Sequence, residues 1–389
     1  MFALAVATLM AWTFKLCLKR AEDPLAAAVA TIWGSLLAMV GFTPRPQLFA
    51  WLCFIVIFSI LIRFREQGRA PLWLIPLLFC LWINCHGSWA LGLATFAIFL
   101  LSGLITRDVG ALACSPWTRV QLKKLSLALF CSIAALFVNP FGWKLVFYPV
   151  DLAFRQSLNL GLVSEWASVN FNDIRGFYVL ITIAAVFVLV LIPRKPWRID
   201  DALLVAFAVF CGLKHIRFLV LTGIVLPPII APQIPRFSTY DRCHERRLLN
   251  GLIVGSVCAM LVFWFPSNQL LQSEIDQFFP SRAVSYVREH PLQGNLFNQY
   301  EWGGFLEWQV PELKTFVDSR ADIFEHKGVL RDYLAVANIY NSQQILDGYH
   351  IDNVLFSSNS ALAYFLSTNP KWECLYRDNQ AVLYRRAHN

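Results

Sequence analysis

Apolar residues in the first 265 positions fall into long unbroken runs separated by short polar punctuation. A membrane-crossing helix needs about 20 predominantly apolar residues. The runs predict ten helical spans, over 2–18, 25–42, 47–62, 71–84, 87–105, 122–138, 176–193, 200–213, 216–233 and 248–265. Several are short. The stretch 71–84 is expected to cross only halfway, with Pro76 loosening its backbone ladder. Short helices beside polar dipeptides are expected around a membrane-embedded cavity. After Phe265 the pattern changes to that of a compact α/β domain. Pro280 to Glu289 reads as an amphipathic helix. Short buried strands are expected at Leu296-Phe297, Thr315 to Val317, Asn353 to Phe356 and Ala381 to Tyr384. Helical stretches near 300–309, 328–347 and 360–368 alternate with them, which predicts a parallel or mixed sheet with helices on its faces. The expected fold class is therefore a polytopic α-helical membrane domain, residues 1–265, followed by a small soluble α/β domain, residues 266–389.

Composition agrees with this division. Of 389 residues, 57% are hydrophobic and only 15% charged, against roughly a quarter charged in soluble domains. An ordinary soluble enzyme and a disordered chain are both excluded. The net charge is +8, but residues 1–265 hold 23 Lys+Arg against 11 Asp+Glu, and the remainder 10 against 14. The basic excess belongs to the membrane part, so nucleic acid is not expected as a partner; membrane lipids are. Most of the ten cysteines lie in apolar runs, where a free thiol behaves as a small hydrophobe. Neither CxxC nor HExxH occurs, so no metal is predicted by motif and the cofactor is left unassigned; a divalent cation is compatible but has no motif.

Sidedness follows from the loop cations. Loops 15–24, 63–70, 106–124, 194–201 and 236–247 carry 17 Lys or Arg, and the alternating loops carry six. The richer set is expected in the cytoplasm, which places the N-terminus and the C-terminal domain outside a cell inner membrane. The residues able to do chemistry then gather at the outer surface. Asn84 and His86, at the helix break Trp82 to Trp89, either bond a ligand at the interface or cap a helix and sit at headgroup depth. Glu165, beside Trp166, is either a general base in an apolar setting or a solvated loop acid with an interfacial anchor. Lys214, His215 and Arg217 form a cationic turn suited to phosphate, or to headgroup contact by snorkelling. Arg45, between two prolines, is a weaker candidate of the same kind. In the C-terminal domain Asp318 and Arg320 follow a strand end, where they can hold a sugar or phosphate or simply bond each other. No GxGxxG, P-loop or DxD pattern accompanies them.

An ordered set of short strings runs through the chain: Arg45-Pro46-Gln47, Trp82-x-Asn84-x-His86-Gly87, Asn139-Pro140-x-Gly142, Glu165-Trp166 and His215-Ile216-Arg217-Phe218. Phe297-Asn298-x-Tyr300-x-Trp302-Gly303-Gly304 and Val317-Asp318-x-Arg320 follow. This order resembles bacterial multi-pass proteins of the GT-C glycosyltransferase superfamily that carry a small α/β domain after the last span. The resemblance implies inverting transfer of a sugar from a polyprenyl-phosphate carrier to a glycan or lipid acceptor on the outer face. It also implies a base in the first outer loop. Here the first such loop, 43–46, holds no acid. That departure leaves three expectations: a chain lacking earlier spans and the acidic loop, Glu165 as a substitute base, or an inactive scaffold that binds a glycan or lipid. A transporter is disfavoured because the span centres are almost free of charge.

Overall fold

A computed structural model describes residues 1–110, 112–235 and 246–387, and the chain divides into two compact units. The first comprises Met1–Arg155 and Val163–Cys243, and the second Gln156–Leu162 and His244–Asn389. The fold is mostly helical with a small C-terminal sheet region. The cations expected at Arg236 and Arg242 lie outside the described residues.

In the first unit the helices are α1 (Phe2–Ala21), α2 (Pro24–Ala38), α3 (Gln47–Gln67), α4 (Leu74–Cys85), α5 (Trp89–Ser102), α6 (Arg119–Ala135) and α7 (Trp143–Arg155). After α8 (Ser157–Leu162), which belongs to the second unit, come α9 (Ile174–Leu191), α10 (Ile199–Lys214) and α11 (Leu219–Ile230). A two-residue parallel ladder joins β1 (Leu112–Ala113) to β2 (Trp197–Arg198). Starts follow local chemistry. Asp23 accepts from the amides of Leu25 and Ala26, with Pro24 in the first turn of α2, and Thr118 and Gln121 form a reciprocal capping box on α6.

All ten expected spans fall on helices, the last on α12 (Arg247–Phe263) in the second unit, but they differ in length. Among the described residues five helical stretches are long and apolar enough to cross a membrane: Phe2–Ala21, Pro24–Gly41, Gln47–Gln67, Ile174–Leu191 and Ile216–Gln233. A sixth arises if α12 and α13 (Asn268–Phe278), bent by 57°, form one broken span. The shorter α4 and α5 have 12 and 14 residues, so at 1.5 Å per residue they reach only about 18 and 21 Å. Ten full crossings therefore exceed what the helix lengths establish.

Packing sorts the helices by depth. Every residue of α11 is buried, whereas α12 buries none. The α2–α11 crossing is closed by small residues. A Cβ on Gly34 would lie 2.2 Å from Pro227 Cγ and 2.4 Å from the Gly223 carbonyl oxygen. Direct backbone approach of this kind is how membrane helices gain van der Waals contact where burial supplies little.

The second unit contains, after α12 and α13, α14 (Ser281–Glu289), β3 (Asn295–Asn298), α15 (Gly303–Gln309), α16 (Ala321–His326), α17 (Val329–Ala337), α18 (Ser342–Gly348), β4 (Ile351–Ser357), α19 (Ala361–Ser367), β5 (Trp372–Arg377) and β6 (Ala381–Arg386). The sheet order is β3-β4-β6-β5, with β3 parallel to β4 and the other two pairings antiparallel. The sheet is thus mixed. The strand expected at 315–317 does not form. The side chain of Asn298 instead takes the place of a neighbouring strand: its Oδ1 accepts from the amides of Phe316 and Val317, and its Nδ2 donates to the Val317 carbonyl at 2.9 Å. At the start of α8, Glu325 accepts from the amides of Leu158 (3.0 Å) and Asn159 (2.6 Å), which would otherwise lack helical partners.

Candidate functional site

Two clusters of charge lie at opposite ends of α3. The helix has 21 residues, so its ends are about 31 Å apart, close to the thickness of a bilayer's hydrocarbon core.

At its C-terminal end Arg20, Arg65 and Arg198 are paired with acids. Arg65 donates to Asp200 (3.1 Å), to Ser102 Oγ (2.9 Å) and to the Ser115 carbonyl (2.5 Å), with its guanidinium 3.6 Å from the centre of the Trp117 ring. Arg20 forks onto both oxygens of Asp201 and lies 3.3 Å from Glu66. Arg198 pairs with Asp200 at 3.2 Å. Asp200 and Asp201 occupy the first turn of α10, where the helix dipole favours negative charge. The side chains of Arg65 and Asp200 are only 3% and 4% exposed. A buried pair with every donor placed holds elements together and leaves little for a ligand.

At the other end the balance is different. The loop before α3, the break between α4 and α5, the short helical turn Ser164–Trp166 and the turn between α10 and α11 converge. Main-chain bonds hold them in register. Val169 N–H donates to the Leu213 carbonyl, and Ile216 N–H to that of Ala167. Ser168 Oγ donates to the Lys214 carbonyl at 3.2 Å. His215 Nδ1 lies 2.6 Å from the Trp166 carbonyl oxygen, which can only accept, so this nitrogen carries the proton. The His215, Trp166 and Phe218 rings meet edge to face in all three pairings.

Arg217 stands on this platform. Its guanidinium lies 4.2 Å from the centre of the Trp166 ring. One terminal nitrogen reaches Gln47 Oε1 at 3.5 Å, a weak contact. Its Nε is buried and has no hydrogen-bond partner among the described residues. Glu165, Arg45 and Tyr148 all act on Arg217 electrostatically. Arg45 Nη1 bonds Glu165 Oε1 at 2.5 Å, with the arginine side chain 55% exposed and the glutamate 30%. One carboxylate thus faces two guanidinium groups, leaving a local positive excess and an unused buried donor.

His86 joins the cluster as a neutral group. Its Nδ1 accepts from Ser88 N–H at 3.1 Å and lies 2.9 Å from Ser88 Oγ, which itself accepts from Trp82 Nε1. The ring proton is therefore on Nε2. Burial first, and then the charge of Arg217, push the imidazole from its ordinary 6.5 to about 4. At pH 7 it is a neutral hydrogen-bond donor.

The side chains of the other expected site residues take no part in these contacts. Asn84 donates to the carbonyls of Cys80 and Val138, tying α4 to the end of α6. Lys214 is exposed. In the second unit Arg320 forks onto Asp318 through Nε and Nη2, and its amide also donates to Asp318 Oδ1 at 2.8 Å. A further contact joins Arg320 to Glu307 at 3.4 Å. Burial alone would raise the Asp318 carboxyl, but the hydrogen bonds from Arg320 outweigh it and hold the group below its usual range. This pair closes on itself, the structural alternative of the two open to it. Gln47 and Tyr148 were not among the expected site residues. A glutamine opening the long apolar run 48–62 is the signal that could have found the former; nothing in the sequence singles out the latter. Among the described residues no group of three or more His, Cys, Asp or Glu is placed to hold a metal ion.

The chain matches no protein-family model and no curated protein.

Proposed function

We propose that the protein is a membrane glycosyltransferase of GT-C type, in which Arg217, Arg45 and His86 hold the phosphate of a polyprenyl-phosphate-linked sugar. Glu165 is the carboxylate that receives the acceptor's proton. The observation that carries this reading is the buried, unpartnered Nε–H of Arg217 beside a second guanidinium. Guanidinium forks bind phosphate oxygens in pairs, and two such forks stabilise the charge that develops on a leaving phosphate. Neutral His86 adds a third donor without adding charge. A phosphate arriving at Arg45 competes with Glu165 for the same nitrogen and thereby frees the carboxylate to act as a base. Donor binding and base release are coupled by one ion pair.

The site is assigned to the outer face of a cell inner membrane. The Arg65 end, whose loops are richest in Lys and Arg, faces the cytoplasm. The ten helices of the expected spans then all contribute to the membrane domain. The C-terminal domain lies outside. In support, Gln156–Leu162, within the loop 139–175 that this reading assigns to the outside, belongs to the second unit. The acceptor is a glycan or lipid at the same surface.

A second reading has its own observation. The Arg45–Glu165 bond occupies the only carboxylate facing Arg217 among the described residues, as expected of a protein that binds lipid phosphate without transferring sugar. Reconstituted protein in liposomes, given undecaprenyl-phosphate hexoses with a radiolabelled sugar, separates the two. The enzyme reading expects label in a new product, lost in Glu165→Gln and Arg217→Ala at unchanged protein level. Donor binding that requires Arg217, without any product, establishes the non-catalytic reading. Transfer at the wild-type rate in both variants removes the site assignment.

A further inference from the structure

We propose that a groove at the carboxyl ends of β3 and β4 in the second unit binds a neutral carbohydrate, a function separate from the lipid-phosphate cluster of the first unit. The groove has a volume of about 700 Å3, within the range of small-ligand sites. It lies where ligands of open α/β sheets are found, beyond the ends of adjacent parallel strands. Its floor carries Gln299, the residue after β3, and Ser357, the last residue of β4.

The chemistry of the walls selects the ligand. Among the described residues no Lys, Arg or His lines the groove, while Asp276 and Glu301 do, so a phosphate or other anion is disfavoured. Arg282 lines a neighbouring recess that shares Asp276, Asn379 and Gln380 with the groove. Carboxylates, amides and a hydroxyl together make the donor and acceptor set that fits adjacent sugar hydroxyls. Gln299 supplies the most specific sign. Its Nε2 donates to Glu301 at 2.9 Å, yet its Oε1 is buried with no hydrogen-bond partner. A ligand hydroxyl donating to that oxygen removes the unpaired acceptor. Phe278, 69% exposed, adds an apolar ring face for the C–H side of a pyranose.

The walls are also pre-set. Trp302 Nε1 donates to the Phe278 carbonyl (3.3 Å), and Gln380 Nε2 to the Gln277 carbonyl (3.1 Å). These two bonds fix the end of α13 against the sheet side, so little ordering remains when a ligand enters.

The test uses the full chain in lipid nanodiscs and saturation-transfer NMR. Four tetrasaccharides serve as probes: β-1,4-glucose, β-1,4-N-acetylglucosamine, α-1,4-glucose and α-1,6-mannose. At least one is expected to bind, with affinity falling tenfold or more in Phe278→Ala and in Glu301→Ala, both substitutions of exposed side chains. Gln299→Leu is expected to lose binding while melting no lower than wild type, because it removes an unpaired buried acceptor. Arg217→Ala is expected to leave this binding unchanged, which keeps the outcome distinct from that of the phosphate assignment. No binding by any of the four, binding indifferent to Phe278 and Glu301, or selective binding of tetralysine in their place would overturn the proposal.

Discussion

Replacing Arg217 with methionine tests the central cluster without the transfer reaction. In the free protein the arginine gains a cation–π contact with Trp166 at 4.2 Å, worth about 0.5–2 kcal/mol. It also bears a buried Nε–H with no partner, which costs about 1–3 kcal/mol. The two terms nearly cancel, so Arg217→Met is expected to change the stability of the free protein by about 1 kcal/mol or less in either direction. With a lipid phosphate bound the account changes. Nε and one terminal nitrogen supply two charge-assisted hydrogen bonds of about 1.5 kcal/mol or more each. Their loss weakens binding by about 3 kcal/mol, or roughly a hundredfold. The assay is thermal melting of detergent-purified protein with and without undecaprenyl phosphate, backed by binding to liposomes that contain it. Wild type is expected to melt higher with the lipid, and the variant to melt at one temperature in both conditions. If Arg217 were instead a structural ion-pair partner, its removal would leave Glu165 with one fewer cation and lower the melting point of the free protein sharply. That result, or a lipid-induced shift that survives the substitution, refutes the argument.

Other expectations concern the scaffold. Gly34→Val places methyl groups where a Cβ already meets Pro227 and the Gly223 carbonyl well inside contact distance, so the α2–α11 crossing must open; the cost is about 1–3 kcal/mol or more, read as a lower melting point and reduced yield. Asp200→Ala strands the buried Arg65 and is expected to cost about 3–5 kcal/mol, whereas Arg65→Met with Asp200→Leu recovers much of the loss in a double-mutant cycle. Asp318 is held below its usual range by Arg320, so the stability it contributes is present above its unfolded value near pH 4 and fades as pH falls through the lower folded value. Wild type is therefore expected to lose melting temperature more steeply than Asp318→Asn below about pH 4, and equal slopes would show that the pair contributes nothing.

What the sequence could show depended on the range of the interaction. Apolar runs mark helices because each residue reports its own solvent, and every expected span coincides with one. Their lengths were harder to read. Residues such as Trp73 or Gly87 belong to an apolar run without belonging to the helix. Three of four strands in the second unit were visible as short apolar stretches. The fourth, β5, reads Trp-Glu-Cys-Leu-Tyr-Arg and lies at the sheet edge, where charged residues are tolerated and alternation is blurred. The region 315–317 reads as a strand because it is short and mostly apolar, but the main-chain groups of Phe316 and Val317 bond one asparagine side chain. At the site, Glu165, Arg45 and Arg217 drew attention through their chemistry and their place in loops. That Arg45 meets a carboxylate 120 positions away is a tertiary fact with no local signature.

The two charged ends of α3 illustrate why a count of loop cations is an incomplete guide to binding. Arg20, Arg65 and Arg198 enter the sidedness count with the same weight as any other cation, yet each meets an acid from the set Glu66, Asp200 and Asp201. Three positive and three negative groups close on themselves, and an incoming anion would have to break a buried pair to gain a partner, at a cost of several kcal/mol. At the opposite end Arg45 and Arg217 share Glu165, and the histidine beside them is neutral at pH 7. An anion arriving there meets a net positive charge and a donor already stripped of water. The orphaned donor has no counterpart in the closed cluster, where Arg65 uses all three of its nitrogens. An unspent buried hydrogen-bond donor, rather than the number of basic residues, marks the end proposed to hold a lipid phosphate.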